Sequence, residues 1–135
     1  MNIETANIQD IPTIIKLWER ANLLISYNDP ETDIKAALST PTSTLLVAKI
    51  DGKIIGTAMT GYDGHRGWVY YVAVEPEHQK QGYGKKMIEA AESWLKSLGV
   101  HKVHLLIRKN NSIVQSFYHK IGYENIDVIV MKKTF

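Results

Sequence analysis

Along the chain, apolar residues switch between a period near 3.6 and a period of two, and the switches mark the elements. Residues 2–6 read as a short strand. Ile11, Ile14, Ile15, Trp18 and Ala21 then share one helical stripe, with Asn7 or Asp10 as the cap. Residues 23–29 read as a loop, and Pro30 suits the first turn of a second short helix ending near Ser39. Residues 44–50 and 53–61 read as paired strands around a tight Asp51-Gly52 turn. A turn-rich loop at 62–67 leads into a strand over 68–74, dense in β-branched and aromatic residues.

The second half repeats the alternation on a longer scale. A helix follows the glycines at 82 and 84 and runs to about Ser97. Its expected buried stripe is Met87, Ala91, Trp94 and Leu98, with Ile88 and Leu95, and Gly99 closes it. Residues 103–107 read as a strand, 111–121 as a helix stopped by Gly122, and 125–133 as a final strand. The order β-α-α-β-β-β-α-β-α-β predicts an α/β (α+β) fold, a mixed sheet with helices packed on it, as one domain over residues 1–135.

Composition narrows the function classes. At 135 residues the chain can bury a sizeable core, and 44% apolar with 22% charged residues is ordinary for a globular protein. A net charge of +2 gives no argument for nucleic acid or for an acidic membrane as partner. With no cysteine there is no disulfide, thiolate metal site or cysteine nucleophile. The first residues carry neither the basic flank nor the apolar core of a signal peptide, and no apolar run reaches membrane-spanning length. A cytoplasmic protein is expected. His101 and His104 flank a strand start, and His78 and His119 lie near basic neighbours; none has ligand company at useful spacing, so no metal is expected.

The candidate chemistry starts at Gln79-x-x-Gly82-x-Gly84, where a strand runs through a basic, glycine-bearing loop into a helix. Bare N–H groups at a helix N-terminus attract anions, and residues without a Cβ let a phosphate approach the backbone. The loop lacks the glycine spacing and the Lys-Ser/Thr ending of a P-loop, and a dinucleotide fingerprint would need glycine where Met87 stands. A strand-to-helix turn that happens to contain glycines is the plain alternative. A second constellation is Asn111 with Phe117-Tyr118, followed by Gly122-Tyr123. Asn111 and Tyr118 lie two helical turns apart and so share a face. Taken singly, Asn111 also reads as an N-cap and Tyr118 as an amphipathic residue at the edge of a core.

Together, strand, Gln-x-x-Gly-x-Gly, helix, strand, then Asn and Phe-Tyr on a helix ending Gly-Tyr, the pattern resembles the GCN5-related N-acetyltransferase (GNAT) family over essentially the whole chain. Asn28-Asp29-Pro30, the run from Gly61 to Gly67 and Tyr70-Tyr71 look like its small bacterial YpeA-type members. The resemblance implies a mostly antiparallel central sheet and acetyl-CoA as acyl donor. The loop matching Gln79, Lys80, Gln81, Gly82, Tyr83, Gly84 and Lys85 would wrap the pyrophosphate of coenzyme A. The strand matching Val72, Ala73 and Val74 would pair with the pantetheine amides, and a bulge in it would splay it from the strand at 103–107. Asn111, Phe117 and Tyr118 match cofactor-binding positions, Tyr118 being the acid placed at the thioester sulfur. Lys85 and Lys86 could reach the 3′-phosphate, or form a solvated helix face.

The implied reaction is direct attack of an amine on the thioester, with a strand N–H such as that of Val72 facing the oxyanion. Without cysteine an acyl-enzyme is not expected. Some relatives place a glutamate base where Trp68 stands here, which leaves the base open among Asp63, His65, Tyr70, Glu75 and a water chain. The acceptor is expected from the side of residues 22–33 and 62–68, where Asp29, Asp63, His65 and Tyr70 are candidate substrate contacts; Asp29, Glu31, Asp33 and Asp63 suggest a cationic small-molecule amine or a peptide amine. The alternative is a non-catalytic acyl-CoA-binding or regulatory module on the same fold. A homodimer is left open.

Overall fold

The computed structural model describes residues 1–25 and 28–135; the loop expected over 23–29 includes residues 26 and 27, which lie outside them. The chain falls into two compact units, residues 1–105 and 106–135.

The first unit is built on one sheet. Its strands are β1 (Asn2–Thr5), β2 (Ser43–Ile50), β3 (Lys53–Tyr62), β4 (Gly67–Val74) and β5 (Val103–His104), in spatial order β1-β2-β3-β4-β5. The first three pairings are antiparallel and β4–β5 is parallel. This is the mixed, mostly antiparallel sheet expected. Successive side chains of β3 point to opposite faces, and the packing follows them. Thr57 hydrogen-bonds Trp18 of α1 (Ile11–Arg20), whereas a Cβ on its neighbour Gly56 would meet the Met87 side chain of α3 (Tyr83–Ser97). Helix α1 and α2 (Pro30–Ser39) therefore cover one face and α3 the other. Ile14, Leu17, Trp18, Ile34, Leu45 and Val47 are fully buried in the α1–α2 layer, and Met87, Ile88, Ala91 and Leu95 are the buried residues of α3.

A 3₁₀ turn, Ile8–Asp10, precedes α1, and Asn7 with Asp10 forms a reciprocal capping box there. Helix α2 starts at Pro30, with Asp29 as its N-cap. The buried stripe of α3 stops short of the expected one. Leu98 is the C-cap residue, outside the helix, and is 42% exposed, while Trp94 is only half-buried. Strand β5 is also shorter than the expected 103–107, because β4 departs from its partner after Trp68, as described below.

The second unit contains α4 (Ser112–Lys120), capped by Asn111 and ended at Gly122, whose φ is +100°. The final strand expected over 125–133 is not formed, so the observed order ends on a helix. Ile126, Val128, Ile129, Val130 and Met131 are all exposed. Their β-branched side chains favour a pleated, half-buried surface, but a strand exists only through a ladder. Among the described residues, none provides one here. No helix among them is long and apolar enough to cross a membrane.

Candidate active site

The site begins as an irregularity in β4. Thr57 pairs with Ala73 and Met59 with Tyr70, so one residue of β3 faces two of β4, Tyr71 and Val72. This is a β-bulge, and Tyr71 carries the strain at φ +51°. Several contacts hold it there. The Trp18 ring stacks on the Tyr71 ring at 3.9 Å with 5° between planes. Trp18 Nε1 donates to Thr57 Oγ1 (2.9 Å), and Thr57 Oγ1 donates to the Tyr71 carbonyl (2.8 Å). The Tyr71 phenol donates to Asp33 Oδ2 of α2 at 2.9 Å. Burial, then that bond and the Asp33 charge, push the phenol up to about 12. The sequence held a signal of this bulge: Tyr70-Tyr71 interrupts the period-two pattern of the strand.

The bulge separates β4 from β5. Their ladder contains only Gly67–Val103 and Trp68–His104. It forms because Gly67 has no side chain: a Cβ there would lie 2.9 Å from Val100 Cγ1 and 3.1 Å from the Lys102 carbonyl. From Tyr70 to Val74 the strand keeps β3 on one side and has no ladder partner on the other among the described residues. Such an edge can pair with the amides of an extended ligand.

Beyond Val74 the chain passes through a 3₁₀ turn, Pro76–His78, into the glycine loop. The Gln79 side chain donates to the Val74 carbonyl at 3.0 Å. Lys80 and Gly82 adopt φ of +63° and +87°. Lys86 is the first helical N–H to bond back, to the Gly82 carbonyl at 3.2 Å, and no side chain caps α3. Among the described residues, the N–H groups of Gly82, Tyr83, Gly84 and Lys85 thus have no partner at the positive end of a fifteen-residue helix. A Cβ built on Gly82 would meet nothing within 4 Å, so the space beside Gly82 is open. Lys85 lies 3.9 Å from Glu89, and Lys86 sits over the Tyr83 ring at 5.7 Å, a lightly tied helix surface beside those N–H groups.

Glu75 is not placed as a base. Its carboxylate is 4% exposed and held by both arms of Arg20, at 2.7 and 2.6 Å. The guanidinium keeps its carboxyl below the usual range. Arg20→Leu is expected to lower Tm at pH 7, because it leaves a buried carboxylate unpaired. A carboxyl depressed by folding contributes stability above its unfolded value near 4.5 and loses it as the pH falls through the folded one. The Tm difference between Arg20→Leu and wild type should therefore shrink below pH 4, which thermal unfolding across pH 3–8 checks.

The candidate acceptor residues have structural duties of their own. Asp29 accepts from Thr32 N (3.2 Å) and Thr32 Oγ1 (2.7 Å) as the α2 cap, bonds that hold it below the usual range. Asp63 accepts from His65 N, Arg66 N and Trp68 Nε1 at 2.8, 2.7 and 3.1 Å, and these bring it to about 2. Both remain ionised and supply negative charge, but their oxygens are engaged by their own turns. Tyr70 is half-exposed and its ring lies near-parallel to that of Trp68 at 6.2 Å; burial and then the Asp63 charge raise its phenol. His65 is exposed.

In the second unit, the Asn111 side chain accepts from Val114 N at 3.2 Å, the N-cap role. Phe117 and Tyr123 meet the Tyr118 ring edge-on, at 5.0 and 5.4 Å. Tyr118 is 7% exposed, and burial pushes its phenol up to about 12. No hydrogen bond engages its hydroxyl among the described residues, and that oxygen is not sealed from solvent.

The model of the acetyltransferase (GNAT) family matches residues 11–123. An acetyltransferase of Pectobacterium atrosepticum is 40% identical over 133 residues, covering 98% of this chain and 94% of its own. Among solved structures, a predicted acetyltransferase from Clostridium acetobutylicum with acetyl-CoA superposes with TM-score 0.81 at 17% identity, over 98% of this chain and 95% of that one. An aminoglycoside acetyltransferase from an uncultured soil metagenomic sample, in complex with sisomicin, gives TM-score 0.80 at 22% identity over 99% and 95%. These two show the shared fold, and the family match together with the 40% identical relative places the chain among the acyltransferases. The chain belongs to the acetyltransferase (GNAT) family.

Proposed function

We propose that the protein transfers an acetyl group from acetyl-CoA to a primary amine, by direct attack while both are bound. The observation that carries this is the continuity of an opened strand edge, Tyr70–Val74, with the uncapped N-terminus of α3. The edge fits the pantetheine amides and the helix terminus fits the pyrophosphate, so the residues present suit the donor. Val72, Ala73 and Val74 hold the arm. Gln79, Lys80, Gln81, Gly82, Tyr83, Gly84 and Lys85 hold the phosphates, with Asn111 and Phe117 as further contacts.

As the amine attacks, negative charge gathers on the carbonyl oxygen, and the Val72 N–H is the donor available to it. Tyr118 assists the leaving sulfur. A phenol near 12 is a weaker acid than a thiol near 8.5, so full transfer before C–S cleavage is uphill. Its contribution is a hydrogen bond that strengthens as charge builds on sulfur. The acceptor is a cationic small-molecule or peptide amine, drawn by the ionised Asp29 and Asp63 and bordered by His65 and Tyr70.

Gly82→Trp tests the donor site. Tryptophan occupies the open space beside Gly82 and strains the φ of +87°. Acetyl-CoA binding by calorimetry should weaken about tenfold to a hundredfold, the loss of one or two charge-assisted hydrogen bonds. Undiminished binding would move the donor elsewhere. Thiol release with a panel of amines then tests transfer itself.

A further inference from the structure

We propose that His104 is the general base that takes the proton from the acceptor ammonium. The inference rests on the amine-acetylation reading above and supplies the group that reading lacks. His104 is the last residue of β5 and forms the last rung of the β4–β5 ladder, opposite Trp68. It thus stands where the two strands part. Its ring lies 5.3 Å from the Trp68 ring, tilted 41°. Trp68 in turn stacks toward Tyr70 and donates to Asp63, so His104 belongs to the aromatic and acidic cluster on the proposed acceptor side.

A histidine kept for structure normally bonds through its buried ring nitrogens. Among the described residues, neither ring nitrogen of His104 makes a hydrogen bond, and Nδ1 is buried. The imidazole is therefore not pinned as a structural donor, and the lone pair that meets the ammonium is that of Nε2. The charged groups around it favour the neutral, proton-accepting form. Burial, then Arg66, Lys102 and His65, hold it below its ordinary value, and Asp63 alone opposes them.

In the step, the imidazole lone pair takes one N–H proton of the ammonium, and the freed amine lone pair attacks the carbonyl carbon. As the C–S bond breaks, Tyr118 hydrogen-bonds the sulfur, and the second N–H proton, released from the tetrahedral nitrogen, ends on the thiolate. His104 returns its proton to solvent. One ammonium and one thioester yield one amide, one thiol and one proton.

The test compares wild type with His104→Gln and His104→Asn on acetyl-CoA with sisomicin and with a hexapeptide bearing an N-terminal alanine, from pH 6 to 10. The variants should keep the wild-type acetyl-CoA affinity by calorimetry, which also reports that they fold. At pH 7, kcat/KM for the amine should fall about 10²-fold. The deficit should narrow toward pH 10, where an amine near 10.4 deprotonates without help. In wild type, the ¹⁵N signals of His104 should titrate below pH 6.5. A loss of the same size at every pH, an unchanged rate, or an imidazolium at pH 7 overturns the assignment alone. Absence of turnover of both probes by wild type counts against the amine-acetylation reading, and this one with it.

Discussion

Tyr118→Phe is expected to lower kcat for amine acetylation by about 10²–10³-fold, the usual effect of removing one aligned donor from developing negative charge. The substitution is clean because of where the atoms lie. The ring is buried against Phe117 and Tyr123, and phenylalanine keeps those edge contacts. The hydroxyl makes no hydrogen bond among the described residues, so its loss leaves no buried partner unsatisfied and Tm should hold. Acetyl-CoA affinity should hold as well, because the bond to sulfur strengthens only as the thioester breaks. The sign of the pH dependence follows from burial. A phenol near 12 keeps its proton through the assay range, so wild-type kcat should show no alkaline fall from Tyr118 up to pH 10. Steady-state thiol release with saturating acetyl-CoA from pH 6 to 10 measures kcat and its pH dependence, thermal unfolding the Tm, and calorimetry the acetyl-CoA affinity. A kcat within a factor of two of wild type, which is less than 0.6 kcal/mol at 1.36 per tenfold, would remove Tyr118 from the chemistry.

What could be read in the sequence was local. The Asp51-Gly52 turn, the Asp29-Pro30 helix start and the glycine loop into α3 each depend on a few adjacent residues, and each stands where expected. The free N–H groups of α3 follow from the same few positions, since Gly82 brings no side chain to cap them. What could not be read depends on partners remote in the chain. The lock on the bulge joins residues 18, 33, 57 and 71 from four different elements, and no spacing rule connects them. Glu75 reads in the sequence as one of several candidate bases, because its partner Arg20 lies fifty-five residues earlier. The extents of β5 and of the strand expected over 125–133 failed for a related reason. Propensity describes a side chain's fit to a sheet, whereas a ladder needs a neighbour at the right distance. In the sequence His104 could be weighed only as a metal ligand at a strand start, because its place as the rung where two strands separate shows only in the register.

Trp18→Ala should cost about 3–5 kcal/mol, the range for truncating a fully buried aromatic. That is a large share of the 5–15 kcal/mol of a typical domain, and urea unfolding should show it as a lower midpoint. Trp18 is 0% exposed, stacks on Tyr71 and donates to Thr57, so the cavity and the lost bond fall in one place. Thr57→Val separates the two effects. It keeps the volume but strands the indole N–H and the Tyr71 carbonyl, for about 1–3 kcal/mol. Because both substitutions break the same Trp18–Thr57 bond, the Trp18→Phe/Thr57→Val pair should cost less than the sum of its singles. Additive losses would show that the bond contributes nothing. The functional consequence runs through Tyr71. A tyrosine at φ +51° stands about 1–2 kcal/mol above an ordinary backbone, and the bonds from Thr57 and to Asp33 oppose its relaxation. Relieved of the first, β4 gains by straightening, and a straightened β4 would approach β5 and narrow the gap proposed above to take the donor arm. Thr57→Val should therefore weaken acetyl-CoA binding while the protein is still fully folded. Unaltered affinity under those conditions would limit the lock to stability.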